Sequence, residues 1–161
     1  MWFFMNVCYF MSFLTLIFFL LSFFQAIFHF HIFNANHVTF MVLTSIVYFF
    51  TETLVIFFFV GTGVSIKEYV KEHSLSAQFH DRSISIKRRL YPPLLLNILF
   101  MIILFVMVGA VDTYRITKWV YYLTYMICLT HLYFVKLNEH KCFRDNTKII
   151  LEMSGIKPQF S

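Results

Sequence analysis

The sequence predicts an all-α integral membrane protein, built as an antiparallel bundle of four transmembrane helices in two hairpins. Three observations carry that reading. Hydrophobic residues make up 60% of the 161 positions and charged residues only 13%, against roughly half and a quarter in a soluble domain. A chain of this length has too little interior to hide the excess, so it must face lipid. Four apolar runs reach the span length of about 20 residues. Finally, the basic residues segregate to particular connections instead of spreading along the chain.

The spans are predicted at about 9–30, 38–60, 93–111 and 119–135, within one membrane domain covering 1–161. Aromatics reach 21%, with 23 Phe, and only four Gly and three Pro interrupt the chain. That composition suits long helices. A transmembrane barrel would show alternating segments of roughly ten residues, and none is found.

The connections set the topology. Asn34, Asn36 and His37 mark a short turn between the first two spans, and Asp112 to Thr117 a short turn between the last two. Links this short make antiparallel hairpins. A segment of loop character, 61–92, joins spans two and three, and a tail, 136–161, follows span four. The loop carries Lys67, Lys71, Arg82, Lys87, Arg88 and Arg89; the tail carries Lys136, Lys141, Arg144, Lys148 and Lys157. Placing both inside puts eleven of the thirteen Lys and Arg there, with Arg115 and Lys118 outside. The positive-inside rule then gives both termini on the cytoplasmic or matrix side. The same rule accounts for the net charge of +5, so no nucleic-acid partner is expected.

Smaller signals subdivide the loop. Gly61-Thr62-Gly63 reads as a stop for the second helix. Ser65 and Glu68 have capping-box spacing, which predicts a short amphipathic helix to about His73 lying at the membrane surface. Leu90-Tyr91-Pro92-Pro93 reads as a fresh start for the third span. Thr117 to Ser154 contains no Gly or Pro, so the fourth span is expected to continue as a helix beyond the membrane to near Gly155. Trp119, Tyr121, Tyr122 and Tyr91 fall at predicted interfaces, as an aromatic belt would. The N-terminus has no basic n-region and no clear cleavage site, so no signal peptide is expected. Cys8, Cys128 and Cys142 form no CxxC and no disulfide framework.

Candidate site residues fall in three groups. Ser45, Tyr48 and Glu52 form a polar stripe on span two, and Thr117, Tyr121, Thr124, Cys128 and His131 form one on span four. Such stripes face protein, because hydrocarbon leaves polar groups unsatisfied. Glu52 is the first charge in the chain. It is expected either to be a protonated or hydrogen-bonded packing clamp that fixes helix register, or to pair with His131 near the level of Asn97 and relay protons or hold a headgroup, quinone or ion. Next, His29, His31 and His37 have the spacing H-x-H-x5-H near the outer turn. Imidazoles suit copper, zinc or iron, but no acid, Cys or Met accompanies them, and plain interfacial histidines are the simpler reading. Cys128 and His131, three apart on one helix face, could chelate a metal, but two ligands alone are a weak signal and packing is the simpler reading. Bis-histidine haem needs two His at one depth on facing helices, and only His131 lies at bilayer depth. Copper and haem are therefore alternatives to the expectation of no cofactor; bound lipids are expected. The third group, Arg82, Lys87, Arg88 and Arg89, reads as a loop for gripping anionic headgroups or a partner.

No catalytic motif is present: no phosphate loop, nucleophile elbow or H-E-x-x-H. The sequence is read as an accessory, non-catalytic subunit of a larger integral membrane complex, such as an energy-transducing or oxidase assembly in a bacterial or archaeal cell membrane or the mitochondrial inner membrane. Its partners would be other membrane subunits and phospholipids. The alternatives are an oligomeric transporter or proton-conducting protein using Glu52 and His131, and a membrane redox or metal protein using the outer histidines.

Overall fold

Four apolar stretches become four long helices: α1 (Trp2–Phe28), α2 (His37–Glu72), α3 (Gln78–Asp112) and α4 (Lys118–Met153). The structure is a computed structural model that describes residues 2–32 and 34–155. Each helix is long and apolar enough to cross a membrane. At 1.5 Å per residue, the 36 residues of α2 and of α4 span about 54 Å, well beyond a hydrocarbon core of about 30 Å.

The turns are locally encoded. Asn34 takes a left-handed conformation (φ 60°) between α1 and α2, which Asn tolerates better than most residues. Asn36 then caps α2, its Oδ1 accepting from the Thr39 N–H at 2.9 Å and satisfying one of the helix's free donors. Ser74 (φ 51°) and Tyr114 (φ 58°) make the other two turns. The continuous α4 predicted from the absence of Gly and Pro is observed to Met153. Lys157 lies outside the described residues.

Polar contacts record how the helices pack. Between α1 and α2 the Thr15 and Thr51 hydroxyls share a 2.7 Å hydrogen bond, and Ser22 donates to Met41 Sδ at 3.4 Å. Residue numbers rise on one helix as they fall on the other. Tyr125 of α4 donates to the Phe19 carbonyl of α1 at 2.9 Å, and Tyr122 to that of Ala26 at 3.0 Å. Around these lie two apolar clusters. Phe19, Met41, Leu104 and Tyr125 anchor the one nearer the α1–α2 and α3–α4 turns; Cys8, Val55, Leu90 and Phe143 anchor the other. In lipid, close packing and interhelical hydrogen bonds hold such clusters, since apolar burial itself gives little drive.

Two expected breaks do not form. There is no separate surface helix: α2 runs through Gly61 and Gly63 without interruption. Ser65 caps nothing and donates back to the Gly61 carbonyl at 3.1 Å. Gly63 serves close approach instead, since a Cβ there would meet Lys87 and Ser83 of α3. Likewise α3 begins at Gln78 and passes through Pro92 and Pro93. The segment expected as loop 61–92 is therefore almost wholly helical, and the connection shrinks to residues 73–77.

The interior prolines are tolerated because α4 repairs one of the bonds they remove. Pro93 has no N–H for the Arg89 carbonyl, and Asn138 Nδ2 donates to that oxygen at 3.2 Å. Asn138→Ala is expected to cost about 1 kcal/mol. In a Pro93→Ala background, where residue 93 regains its own N–H, the cost should fall by half or more. Thermal unfolding of the two single variants and the double variant in detergent checks this coupling.

The basic group is also redeployed. Arg82 and Arg89 lie on α3 and pair with Glu152 and Asp145 of α4, each at 2.5 Å. Lys87 lies across Gly63, and Arg88 stays exposed. The expected headgroup loop is thus in part an interhelical zipper. Hydrogen bonding from Arg82 holds the Glu152 carboxyl below its ordinary value of 4.5. A depressed carboxylate contributes stability above its unfolded pKa, and that contribution disappears as pH falls through the folded value. Both side chains are more than a third exposed, so the pair is worth under about 1 kcal/mol. Arg82→Gln should therefore lower Tm slightly at about pH 7. Thermal unfolding repeated down to about pH 3 should show the difference vanishing.

Candidate functional site

The polar stripe of α2 faces the interior, as its three- and four-residue spacing requires. Ser45, Tyr48 and Glu52 are all buried, Glu52 completely. The hydroxyls are satisfied locally: Thr44 and Ser45 donate to the Phe40 and Met41 carbonyls one turn back. Tyr48 and Glu52 reach across to other helices and build two polar layers, about 6 Å apart along the axis.

The first layer joins three helices. Asn97 of α3 donates through Nδ2 to the Tyr48 hydroxyl at 2.7 Å, and its Oδ1 lies 3.0 Å from His131 Nδ1 of α4. An amide oxygen only accepts, so His131 carries its proton on Nδ1 in this contact. The Phe100 ring meets His131 edge-on.

The second layer is ionic. Lys136 Nζ donates to Glu52 Oε1 at 2.7 Å and to the two Glu139 oxygens at 3.1 and 3.0 Å. Glu139 is 2% exposed and the Lys136 side chain 15%. Lys136 and Glu139 are three apart on α4, one turn of one face. With all three groups ionised the centre carries two negative charges and one positive, a net of −1. Glu52 Oε2 is buried without a partner.

The expected Glu52–His131 pair is therefore not formed. His131 and Lys136 are five residues apart, about 7.5 Å along the axis and on different faces of α4. The imidazole falls at the level of Tyr48 and Asn97, and the ammonium at the level of Glu52. Asn97, expected near the pair, bonds both His131 and Tyr48, and neither Asn97 nor Tyr48 hydrogen-bonds Glu52. Cys128 and His131 form no chelating pair: the thiol donates to the Phe100 carbonyl at 3.8 Å. Lys136 and Glu139 were not among the residues the sequence singled out. Their signal is an i,i+3 ion pair just past the fourth apolar run, opposite a lone acid.

At the other end, where α1 meets α2 and α3 meets α4, His29, His31 and His37 line one cleft. They do not make the metal site that H-x-H-x5-H suggested. Among the described residues, no group of three His, Cys, Asp or Glu is placed to hold a metal. His37 Nε2 is already committed to the Tyr121 hydroxyl at 2.8 Å.

Comparison with protein-family models, curated proteins and solved structures gave no match. A buried ammonium between two carboxylates links α2 to α4, and removing one sign alone would leave an uncompensated charge in a low-dielectric interior. The Tyr48–Asn97–His131 chain ties α3 to both.

Proposed function

We propose that this chain is an antiparallel bundle of two transmembrane hairpins with both ends on the cytoplasmic or matrix side. We propose further that it serves as a non-catalytic accessory subunit of a larger integral membrane complex. The observation that carries the reading is that the hydrogen bonds of both polar layers join helices of this bundle to one another. Glu52, Lys136 and Glu139 engage one another, and Tyr48, Asn97 and His131 do the same, within one chain. That arrangement suits a scaffold, whose working surface is its outside. Phe13, Phe57, Val106, Leu123 and Phe134 are all more than 60% exposed, so every helix offers a large apolar surface to neighbouring spans. The positive-inside distribution of Lys and Arg supports the orientation.

Gentle solubilisation followed by identification of co-migrating chains tests this. Distinct membrane proteins at fixed stoichiometry are expected, and an isolated, stable monomer would contradict the proposal.

One observation favours a second reading. The ionic centre has an unpartnered Glu52 oxygen and a formal charge of −1. A centre of that kind takes up a proton or a cation, which suits a proton-conducting or transport protein. Glu52→Gln separates the two. As a scaffold the variant assembles normally and reconstituted vesicles show no change in proton flux; as a conductor it loses flux.

A further inference from the structure

The end opposite the ionic layer holds a cleft that the subunit reading does not use. Its volume is about 350 Å³, within the range of small-ligand sites. All four helices contribute their ends to it. His29 follows the last residue of α1, His37 opens α2, Asp112 closes α3 and Lys118 opens α4. Two helix N-termini, partly positive, and two C-termini, partly negative, therefore meet at one opening. Lys118 and Asp112 add a full charge of each sign. This is an environment for a dipolar ligand, not for a simple anion or cation.

Gln25 supplies the independent sign of a ligand. It lines the cleft and is 1% exposed. Its Nε2 donates to the Ala35 carbonyl at 2.9 Å, while its Oε1 is buried with no partner. His37 repeats the pattern: Nε2 is shared with Tyr121, and Nδ1 has no partner. Buried polar atoms are rarely left so, and these two line the same cleft. An amide oxygen can only accept, so whatever completes Gln25 must bring an N–H or O–H donor.

We propose that this cleft binds a small zwitterion carrying a primary ammonium and an oxyanion. The ammonium donates to Gln25 Oε1 and faces Asp112; the oxyanion lies toward Lys118 and His37. A phosphoethanolamine unit has this chemistry, either as the headgroup of a phospholipid or as a free solute. Ala26, Val38 and Val108 give the cleft an apolar wall.

The test uses the full chain purified in detergent free of ethanolamine lipid, with thermal unfolding followed by tryptophan fluorescence. O-phosphoethanolamine and O-phosphocholine are titrated separately; the two share their charges, but choline has no N–H donor. In a second arm the protein is placed in nanodiscs of phosphatidylethanolamine or of phosphatidylcholine. A saturable rise in Tm is expected, with the ethanolamine form at least tenfold tighter than the choline form. A response to the soluble probe identifies a free solute site, and a response only in phosphatidylethanolamine nanodiscs identifies a lipid site; both support the proposal. Gln25→Leu should abolish the response. Because it also removes the bond to Ala35, Asp112→Asn at an exposed position is the cleaner variant, and it should weaken binding about tenfold. Equal responses to the ethanolamine and choline forms, no response in either arm, or a response unchanged by Asp112→Asn would overturn it.

Discussion

Lys136→Met is expected to destabilise the folded chain by about 3–5 kcal/mol, the largest effect of any single substitution considered. The ammonium is the sole counter-charge that Glu52 and Glu139 share among the described contacts. Removing it leaves two carboxylates buried side by side, each desolvated and each repelling the other. Glu52→Gln should cost less, because Lys136 keeps Glu139 and an amide oxygen can still accept. The combined variant Glu52→Gln, Lys136→Met, Glu139→Gln is the informative control. With the charges gone together, stability should return to within about 1–2 kcal/mol of the native chain, since a buried ion cluster replaced by neutral groups of similar volume is often neutral or better. Unfolding in mixed micelles measures all three. A triple variant as unstable as Lys136→Met would mean that shape, not charge, holds this layer.

The second large effect is expected one turn away. Asn97→Leu should cost about 2–4 kcal/mol by the same measurement. It deletes two interhelical hydrogen bonds, each worth roughly 1 kcal/mol in a membrane interior. It also strands the Tyr48 hydroxyl and His131 Nδ1 among apolar neighbours, which adds a desolvation penalty. Tyr48→Phe removes only one of the bonds and leaves Asn97 tied to His131, so it should cost about 1 kcal/mol. The ratio between the two variants is the useful quantity. Similar costs for both would show that Asn97 does not bridge the helices.

The four helices were legible because length and hydropathy alone decide them. The polar stripe of α2 was legible for the same kind of reason: Ser45, Tyr48 and Glu52 share a face whatever that face meets. Of the α4 stripe, Tyr121 and Cys128 are buried and His131 reaches Asn97, but Thr124 is not on the packed face. Tyr125, fully buried, holds the face on which Thr124 was placed, and Thr124 donates to its own helix at Val120. Which residues meet across helices depends on register, and register is not written in either helix separately. Glu52 therefore gained the wrong partner. Lys136 lies five residues beyond His131 and was assigned to a solvated tail, although its long stem lets it reach an interior acid. The Gly and Pro signals misled for a related reason. Each is a local preference of a few kcal/mol at most, which a long helix carries: Gly63 answers to the close approach of Lys87 and Ser83, and Asn138 satisfies the carbonyl that Pro93 leaves free. Gln25 left no sequence signal beyond being one polar residue in an apolar run.

The bundle is proposed to be two hairpins with both ends inside, and thiol accessibility tests that orientation directly. The native cysteines are all buried, so background labelling should be low. Ser74→Cys places a thiol in the α2–α3 turn, and Tyr114→Cys places one in the α3–α4 turn, where Tyr114 is 92% exposed. With a membrane-impermeant maleimide, Tyr114→Cys is expected to label in intact cells or sealed mitoplasts, and Ser74→Cys only after permeabilisation. The reverse pattern, or labelling of both from one side, would contradict the four-span arrangement with its termini inside.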